Sequence, residues 1–202
     1  MTRAIALLFT ALTLLAGAGH AQAQNFGGSG FFGTDSRDIM GGGPNFFGGG
    51  SGGASPIPRT TVSFAGNYAP GTILINTAER RLYLVLGNGQ ALRYGIGVGR
   101  DGFRWSGTHR ISAKKEWPSW TPPSQMLARR PDLPRHMNGG IANPLGARAM
   151  YLGSTLYRIH GSNEPETIGQ AVSSGCFRMT NEDVTDLYSR VSVGTTVVVK
   201  NN

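Results

Sequence analysis

The residues of this chain that could do chemistry cluster around its single cysteine, Cys176. A thiolate is a strong nucleophile, and a nearby histidine raises its fraction by taking the thiol proton or pairing with the thiolate. His160 precedes the cysteine, and Gly175 lets the backbone turn so that consecutive N–H groups can face a polarised carbonyl oxygen. The pattern predicts covalent catalysis by Cys176 with His160 as its base; a buried, inert cysteine is the alternative.

Composition argues against several other classes of site. One cysteine forms no disulfide framework, and four histidines spread through 202 residues give no zinc-ligand spacing, so neither a metal nor another cofactor is expected. The formal net charge is +8, but only 15% of the residues are charged, and basic runs do not exceed pairs such as Arg80-Arg81. No nucleic-acid partner is therefore expected, whereas a dispersed basic surface suits a carboxylate-rich partner.

The N-terminus is typical of an export signal. Arg3 supplies a positive charge, residues 4–16 are apolar, and Ala21-Gln22-Ala23 has the small residues of a cleavage site. The apolar stretch is shorter than the ~20 residues that span a bilayer, so we expect a signal peptide over residues 1–23 and no membrane span after its removal. An uncleaved membrane anchor is the alternative. Export predicts a location in the periplasm or cell envelope.

Residues 24–59 are predicted to form a disordered linker. Glycine runs separate the pairs Phe31-Phe32 and Phe46-Phe47, and ordering so many glycines costs backbone entropy that the few branched apolar side chains do not offset. The phenylalanine pairs either contact a partner or belong to a plain tether. One folded domain is expected over residues 60–202.

The folded domain has mostly the sequence pattern of strands. Short runs of Ile, Leu and Val, or alternation of apolar with other residues, mark each of them. Asn88 and Gly89 predict a tight hairpin turn, because both tolerate positive φ, and Gly153-Ser154 predicts another. The predicted strands cover residues 72–76, 81–86, 91–98, 147–152, 155–159 and 195–200.

Proline and capping residues locate the remaining elements. Prolines between Trp117 and Pro144 exclude a long helix or a central strand, so a long structured loop is expected there. Trp117 and Trp120 in this loop either wall a cleft or pack onto the sheet. Thr180 is a predicted N-cap for an amphipathic helix, and a second short helix is expected near residues 166–170.

Chain order narrows the chemistry, because the histidine comes before the cysteine. Papain-like peptidases have the opposite order. Sortases have the same order, but the histidine and the cysteine are much farther apart along the chain. The two segments Ile159-His160-Gly161-Ser162 and Ser173-Ser174-Gly175-Cys176-Phe177-Arg178 resemble the signature of L,D-transpeptidases with a YkuD-type catalytic domain. In that family a His-Gly-Thr-like element precedes Ser-x-Gly-Cys-hydrophobic-Arg. The resemblance extends through residues 98–100, 117–123, 143–146 and 181–194.

The resemblance implies a role for each residue of the motif. Cys176 would be the nucleophile and His160 its base, with the Gly161 carbonyl holding the imidazole tautomer. Arg178 would bind a substrate carboxylate or brace the loop, and Ser162, where the family more often has Thr, would be a second substrate contact. The oxyanion hole would consist of the N–H groups of Ser174, Gly175 and Cys176.

The resemblance also implies a fold and a reaction. The expected fold is mainly β and sandwich-like, with one or two short helices. The thiolate would attack the bond after the third residue of a peptidoglycan tetrapeptide stem, release D-Ala and hold the tripeptide as a thioester. An amine of another stem would then give a cross-link, a lysine of an envelope protein would give an anchored protein, and water would make the enzyme an L,D-carboxypeptidase. A catalytically silent wall-binding protein on the same fold is a further alternative.

Overall fold

A computed structural model describes residues 54–202; the predicted signal peptide and the linker up to residue 53 lie outside the described residues. This part of the chain is mainly strands, as expected. The strands are β1 (Thr60–Ser63), β2 (Ile73–Asn76), β3 (Arg81–Gly87), β4 (Gln90–Gly95), β5 (Val98–Gly99), β6 (Gly107–Glu116), β7 (Arg148–Leu152), β8 (Arg158–His160), β9 (Ala171–Ser173), β10 (Phe177–Arg178) and β11 (Thr196–Lys200), and the α-helices are α1 (Ser124–Arg129) and α2 (Asn181–Arg190).

Nine of these strands form one mixed sheet in the order β1-β4-β3-β2-β11-β6-β7-β8-β10, and β5 pairs with β9 in a separate parallel ribbon. β6 joins the two halves, because residues 107–110 pair with β11 and residues 111–116 pair with β7. Buried side chains of both halves and of α2 pack into one core. The architecture confirms the mainly β fold expected for the catalytic domain.

β6 was not predicted from the sequence. Of its ten residues only Ile111 is buried, so the segment lacks the apolar alternation that marks a half-buried strand. It is a strand because both of its edges find partners, which satisfies its backbone N–H and C=O groups. Tertiary pairing decides its conformation.

The single strand expected over residues 91–98 is interrupted at Gly97. The Gly97 N–H donates to the Arg178 carbonyl oxygen, and the Arg178 N–H donates to the Gly97 carbonyl oxygen, both at 2.9 Å. A Cβ on Gly97 would lie 3.0 Å from the Thr167 carbonyl oxygen, so a glycine allows this close approach. The chain then continues as β5 beside β9, the strand that leads to Cys176.

Both predicted hairpins are present. Asn88 and Gly89 have φ values of 51° and 67°, which give the tight turn between β3 and β4. β7 and β8 pair antiparallel, but β8 begins at Arg158, later than expected. Before it, the Thr155 side chain bonds the Leu152 carbonyl oxygen at 2.6 Å, so the chain turns more widely than a two-residue hairpin does.

The helix expected after Thr180 is α2, and the Thr180 hydroxyl accepts a hydrogen bond from the Asp183 N–H at 3.2 Å, as an N-cap should. The helix expected near residues 166–170 is only a single 3-10 turn over Pro165–Thr167. Within the long loop the prolines leave room for the six residues of α1. No helix in residues 54–202 is long and apolar enough to cross a membrane.

Residues before Thr60 already pack against the domain. A Cβ on Gly95 would lie 2.6 Å from Ile57 Cβ, and one on Gly169 would lie 2.8 Å from Ile57 Cδ1, so Ile57 fills a slot between two glycines. Arg59 forms ion pairs with two carboxylates of α2, those of Asp183 and Asp186, at 3.3 and 3.4 Å. The packed region thus extends upstream of the expected boundary, and Ile57 supports the segment that leads into β9.

Removal of the Ile57 side chain tests this contact. Ile57 is half-buried, so we expect Ile57→Ala to lower the free energy of unfolding by about 1–2 kcal/mol, less than for a core isoleucine. The control is Leu86→Ala, whose side chain is 43% exposed and whose loss should cost less than about 0.5 kcal/mol. Urea unfolding of both variants gives the comparison, and equal losses would contradict the packing.

Candidate active site

The functional residues are positioned by the parallel pairing of β10 with β8, in which Phe177 lies opposite Ile159. Both side chains are buried in the core, at 1% and 0% exposure. Side chains alternate between the faces of a strand, so the residues on either side of this pair point away from the core. The opposite face carries Arg158, His160, Cys176 and Arg178, and all four line one cleft.

The cleft has a volume of about 650 Å³. One side of the cleft consists of the four side chains named above, and the long loop with α1 forms much of the other sides. Trp120 lines the cleft and is 9% exposed, whereas Trp117 is 43% exposed and does not line it. Of the two tryptophans considered for a cleft wall, Trp120 has that position. Further apolar lining comes from Phe103, Met126, Leu133, Met137 and Leu156.

His160 ends β8 and is 5% exposed. Its Nδ1 lies 2.6 Å from the Gly161 carbonyl oxygen, which can only accept, so Nδ1 carries the proton and Nε2 is free to take one. Burial lowers the pKa of His160 to about 3. The positive charges of Arg178 and Arg158 lower this pKa further, whereas the hydrogen bond to Gly161 opposes the shift. The imidazole is therefore neutral near pH 7, the form that a general base requires.

Gly161 is enclosed on the side where a Cβ would point. Such an atom would collide with the Asn181 side-chain oxygen and would lie 3.0 Å from the Ala147 nitrogen. That oxygen accepts the Ala147 N–H at 2.8 Å, so the first residue of α2 ties the start of β7 to the turn after His160. These contacts fix the carbonyl that orients the imidazole.

The side chain of Ser173 holds the loop that leads to Cys176. The Ser173 hydroxyl donates to the Cys176 carbonyl oxygen at 2.6 Å and accepts the Gly175 N–H at 3.1 Å. Ser173 therefore joins both ends of the turn that carries Gly175. Trp105 Nε1 donates to the Gly175 carbonyl oxygen at 2.8 Å, and its ring stacks on Tyr157 at 4.5 Å.

This arrangement bears on the predicted oxyanion hole. The Gly175 N–H is already bonded to Ser173, so it is not available to a substrate oxygen in this conformation. The N–H groups of Ser174 and Cys176 make no hydrogen bond to any other residue between 54 and 202. Ser174 and Cys176 thus offer two free donors beside the thiol, and the third predicted donor is occupied.

The Cys176 thiol is half-buried and donates to the Leu156 carbonyl oxygen at 3.8 Å, a weak hydrogen bond. Burial raises the pKa of the thiol, while Arg158 and Arg178 oppose this shift. Among the described residues no hydrogen bond joins the thiol to His160, although both line the cleft. Such contacts are often long in enzymes without substrate and tighten when it binds.

The two predicted substrate contacts occupy different environments. Arg178 lines the cleft, but its guanidinium forms an ion pair with Glu164 at 2.8 Å and reaches the Thr167 hydroxyl at 3.4 Å. It therefore braces the loop that follows Ser162. Ser162 is 3% exposed, does not line the cleft, and accepts the Glu164 N–H at 3.0 Å. Substrate contact by either residue stays a prediction.

Sequence reasoning gave no role to three residues that shape the site. Asn143 is 1% exposed; its amide donates to the carbonyl oxygens of Pro118 and Asn138 and accepts the Leu145 N–H, so it ties the long loop together. Trp105 donates to the cysteine loop from the segment before β6, and Arg158 lines the same cleft from β8. The only hint in the sequence that Asn143 has a structural role is its position as a single polar residue beside a proline. No group of three or more His, Cys, Asp or Glu within residues 54–202 is placed to hold a metal ion.

Substitution of Gly175 tests the packing of the cysteine loop. Gly175 and Gly102 have φ values of 107° and 80°, but a Cβ on Gly175 would lie 2.6 Å from Tyr157 Cε1, whereas a Cβ on Gly102 meets nothing within 4 Å. Gly102→Ala should cost about 1 kcal/mol of backbone strain. We expect Gly175→Ala to cost at least about 1 kcal/mol more, in urea unfolding, because the contact adds overpacking. Equal costs would rule out the steric contribution.

The pH dependence of stability tests the neutral state of His160. Its folded pKa of about 3 lies below the unfolded value, so between the two the unfolded chain binds more protons. The neutral, buried His160 therefore contributes to the free energy of unfolding, and this contribution is complete at pH values above the unfolded pKa of about 6.5. As the pH falls below that value, the contribution decreases by up to about 1.4 kcal/mol per pH unit. His160→Gln should lose less stability than the unsubstituted protein from about pH 6.5 to about pH 4. The measurement is the free energy of unfolding in urea as a function of pH for both proteins. Parallel curves for the two would show that the imidazole is not desolvated.

Comparison with known proteins identifies the family. Residues 70–199 match the YkuD family, described as the L,D-transpeptidase catalytic domain. The chain is 40% identical over 134 residues to the probable L,D-transpeptidase YbiS of Escherichia coli K12, which covers 62% of this chain and 43% of that protein. It is 48% identical over 65 residues to the putative L,D-transpeptidase YkuD of Bacillus subtilis, covering 32% and 38%. The chain therefore matches less than half the length of these relatives.

Solved structures show the same fold. An L,D-transpeptidase from Mycobacterium smegmatis superimposes with a TM-score of 0.53 at 17% identity, covering 65% of this chain and 59% of that one. The catalytic domain of the E. faecium L,D-transpeptidase gives a TM-score of 0.52 at 20% identity, covering 67% and 100%. With the family match spanning most of the described residues, the chain belongs to the family of YkuD-type L,D-transpeptidase catalytic domains.

Proposed function

We propose that this protein is an L,D-transpeptidase that transfers peptidoglycan stem peptides through a thioester on Cys176. One observation carries the proposal: a buried, neutral His160, whose Nδ1 is fixed by Gly161, lines the same cleft as the Cys176 thiol. A base and a nucleophile placed in this way are the two groups that acyl transfer requires. Family membership supports the same chemistry.

In the first half of the reaction, the sulfur attacks the carbonyl carbon of the third stem residue. The thiol proton passes to Nε2 of His160 before or as the S–C bond forms, and the N–H groups of Ser174 and Cys176 would bind the oxygen that becomes negative. The C–N bond to D-Ala then breaks. The imidazolium returns its proton to the leaving amine, so that D-Ala departs and the tripeptide remains as a thioester.

In the second half, an amine attacks the thioester carbonyl, and His160 takes the proton that the amine loses. The S–C bond breaks and the sulfur takes that proton back from His160, so the thiol and the neutral imidazole are restored. The acceptor is either the side chain of another stem, which gives a cross-link, or a lysine of an envelope protein. If water attacks instead, the protein is an L,D-carboxypeptidase. The wall that Trp120 and α1 contribute to the cleft favours aminolysis, because it limits access of bulk water.

The charge of the cleft supports a substrate with carboxylates. Four arginines line it, and Glu164 is the one acidic residue among the lining side chains of the described chain. Stem peptides carry carboxylates, which such a cleft attracts. The four arginines are Arg129, Arg130, Arg158 and Arg178.

The location and domain organisation are part of the same proposal. Residues 1–23 would direct export and be removed, and residues 24–59 would tether the catalytic domain, whose packed part begins by Ile57. The mature protein would then act in the periplasm or cell envelope, where peptidoglycan is accessible.

Purified tetrapeptide muropeptides provide the test. We expect the protein to release D-Ala and form a tripeptide cross-link, seen by mass spectrometry. Cys176→Ala should do neither. His160→Gln should be slower by about 100-fold or more, because general-base catalysis contributes at least this factor. The matched control is His136→Gln, since His136 is exposed and does not line the cleft.

The other outcomes separate the alternatives. Release of D-Ala with a free tripeptide and no cross-link, on addition of both stems and lysine-bearing envelope proteins, would identify an L,D-carboxypeptidase. Absence of any reaction by the folded protein would contradict the proposal and leave the catalytically silent wall-binding protein. Equal slowing of His160→Gln and His136→Gln would remove the assigned role of His160.

A further inference from the structure

Arg158 has no role in the proposed reaction so far, yet it lines the cleft that holds Cys176 and His160. It lies two residues before His160 on β8 and is half-buried. Its guanidinium lies over the Tyr151 ring at 5.2 Å, and its Nε is buried with no hydrogen-bond partner among residues 54–202. It forms no ion pair in that range, whereas Arg178 is paired with Glu164. A half-buried cation without an anion is costly unless an anion arrives.

The strand register places this cation beside the nucleophile. Phe177 pairs with Ile159 at the start of β10, so Cys176, the residue before Phe177, lies near Arg158, the residue before Ile159, and both line the cleft. Neighbouring strands are about 5 Å apart, so the two side chains are within reach of each other. The thiol hydrogen bond to the Leu156 carbonyl oxygen confirms that the sulfur lies along this stretch of chain.

Other charges around the thiol do not replace Arg158. His160 is held neutral by burial. Arg178 on β10 shares its charge with Glu164, and Arg130 beyond α1 is paired with Asp132. Arg129 has no carboxylate partner among the described residues, but its guanidinium packs over the Phe103 ring at 5.3 Å. Among the groups that lower the pKa of the Cys176 thiol, Arg158 has the largest effect.

We propose that Arg158 pairs with the Cys176 thiolate and holds the negative charge of the nucleophile before attack. The inference deepens the proposed function, on which it rests. Ionisation breaks the S–H bond, and during turnover the proton passes to His160 Nε2, which later gives it to the leaving amine. The guanidinium of Arg158 keeps all of its own protons. When the S–C bond forms, the charge moves to the substrate oxygen and Arg158 is released from its partner.

Alkylation of Cys176 by iodoacetamide measures this pairing without any muropeptide. The rate follows the thiolate fraction, so its pH profile gives the apparent pKa of the thiol. Removal of a nearby positive charge should raise that pKa by about one unit in Arg158→Gln, while Arg158→Lys should retain most of the effect. Arg148→Gln is the matched control: Arg148 is also half-buried and over a tyrosine ring, at 5.5 Å, but does not line the cleft.

An unchanged thiol pKa in folded Arg158→Gln would overturn the proposal. Iodoacetate, which carries a carboxylate, distinguishes the main rival: if Arg158 serves only to bind substrate carboxylates, the variant reacts more slowly with iodoacetate and normally with iodoacetamide. Should the glutamine variant fold poorly by thermal melting, Arg158→Met keeps an apolar stem on Tyr151 and is expected to show the same rise. Because alkylation needs no stem peptide, its outcome stays separate from failure of the muropeptide assay.

Discussion

The parallel register between β8 and β10 is the constraint on which the site depends. Ile159 and Phe177 lie opposite each other and are buried, and this fixes which side chains face the cleft. A slip of one residue in either strand would turn Cys176 or His160 toward the core and bury Arg178 or Arg158 with it. Because burying an unpaired guanidinium is costly, the hydrophobic pair in the core also enforces the alignment of the catalytic face.

A two-residue ladder is too short to hold this register alone, and neighbouring elements complete it. On one side the Met179 N–H donates to the His160 carbonyl oxygen at 2.8 Å. On the other, Gly97 exchanges two hydrogen bonds with Arg178. β10 is thus bonded along both edges. The bonds to Gly97 explain why the strand predicted over residues 91–98 is interrupted there, and why a side chain at Gly97 would separate the elements. The glycine that interrupts a predicted strand is part of the site's support.

The sequence made some parts of this structure predictable because local physics decides them. The turn at Asn88 and Gly89 and the N-cap at Thr180 depend on nearby residues only, and both expectations agree with the structure. β6 could not be predicted, since its polar residues are ordered by partners on both edges. The occupied Gly175 N–H depends on a hydroxyl bond that no spacing specifies. Arg158 lies near Cys176 because β8 pairs with β10, and a turn and β9 separate these two strands in the chain. Local sequence patterns do not specify such a pairing.

Burial at the site has opposite effects on its two central groups, and this shapes the chemistry. Removing water lowers the pKa of His160 and raises that of the thiol, so a resting imidazolium–thiolate pair is disfavoured. A neutral imidazole can still accept a proton during attack, but it cannot supply the standing positive charge that a thiolate needs. The guanidinium of an arginine can supply that charge, because it stays protonated at every pH at which the protein is folded. Proton transfer by His160 and charge stabilisation by Arg158 would then be separate tasks, which lets the cleft exclude water from a thioester without losing its nucleophile.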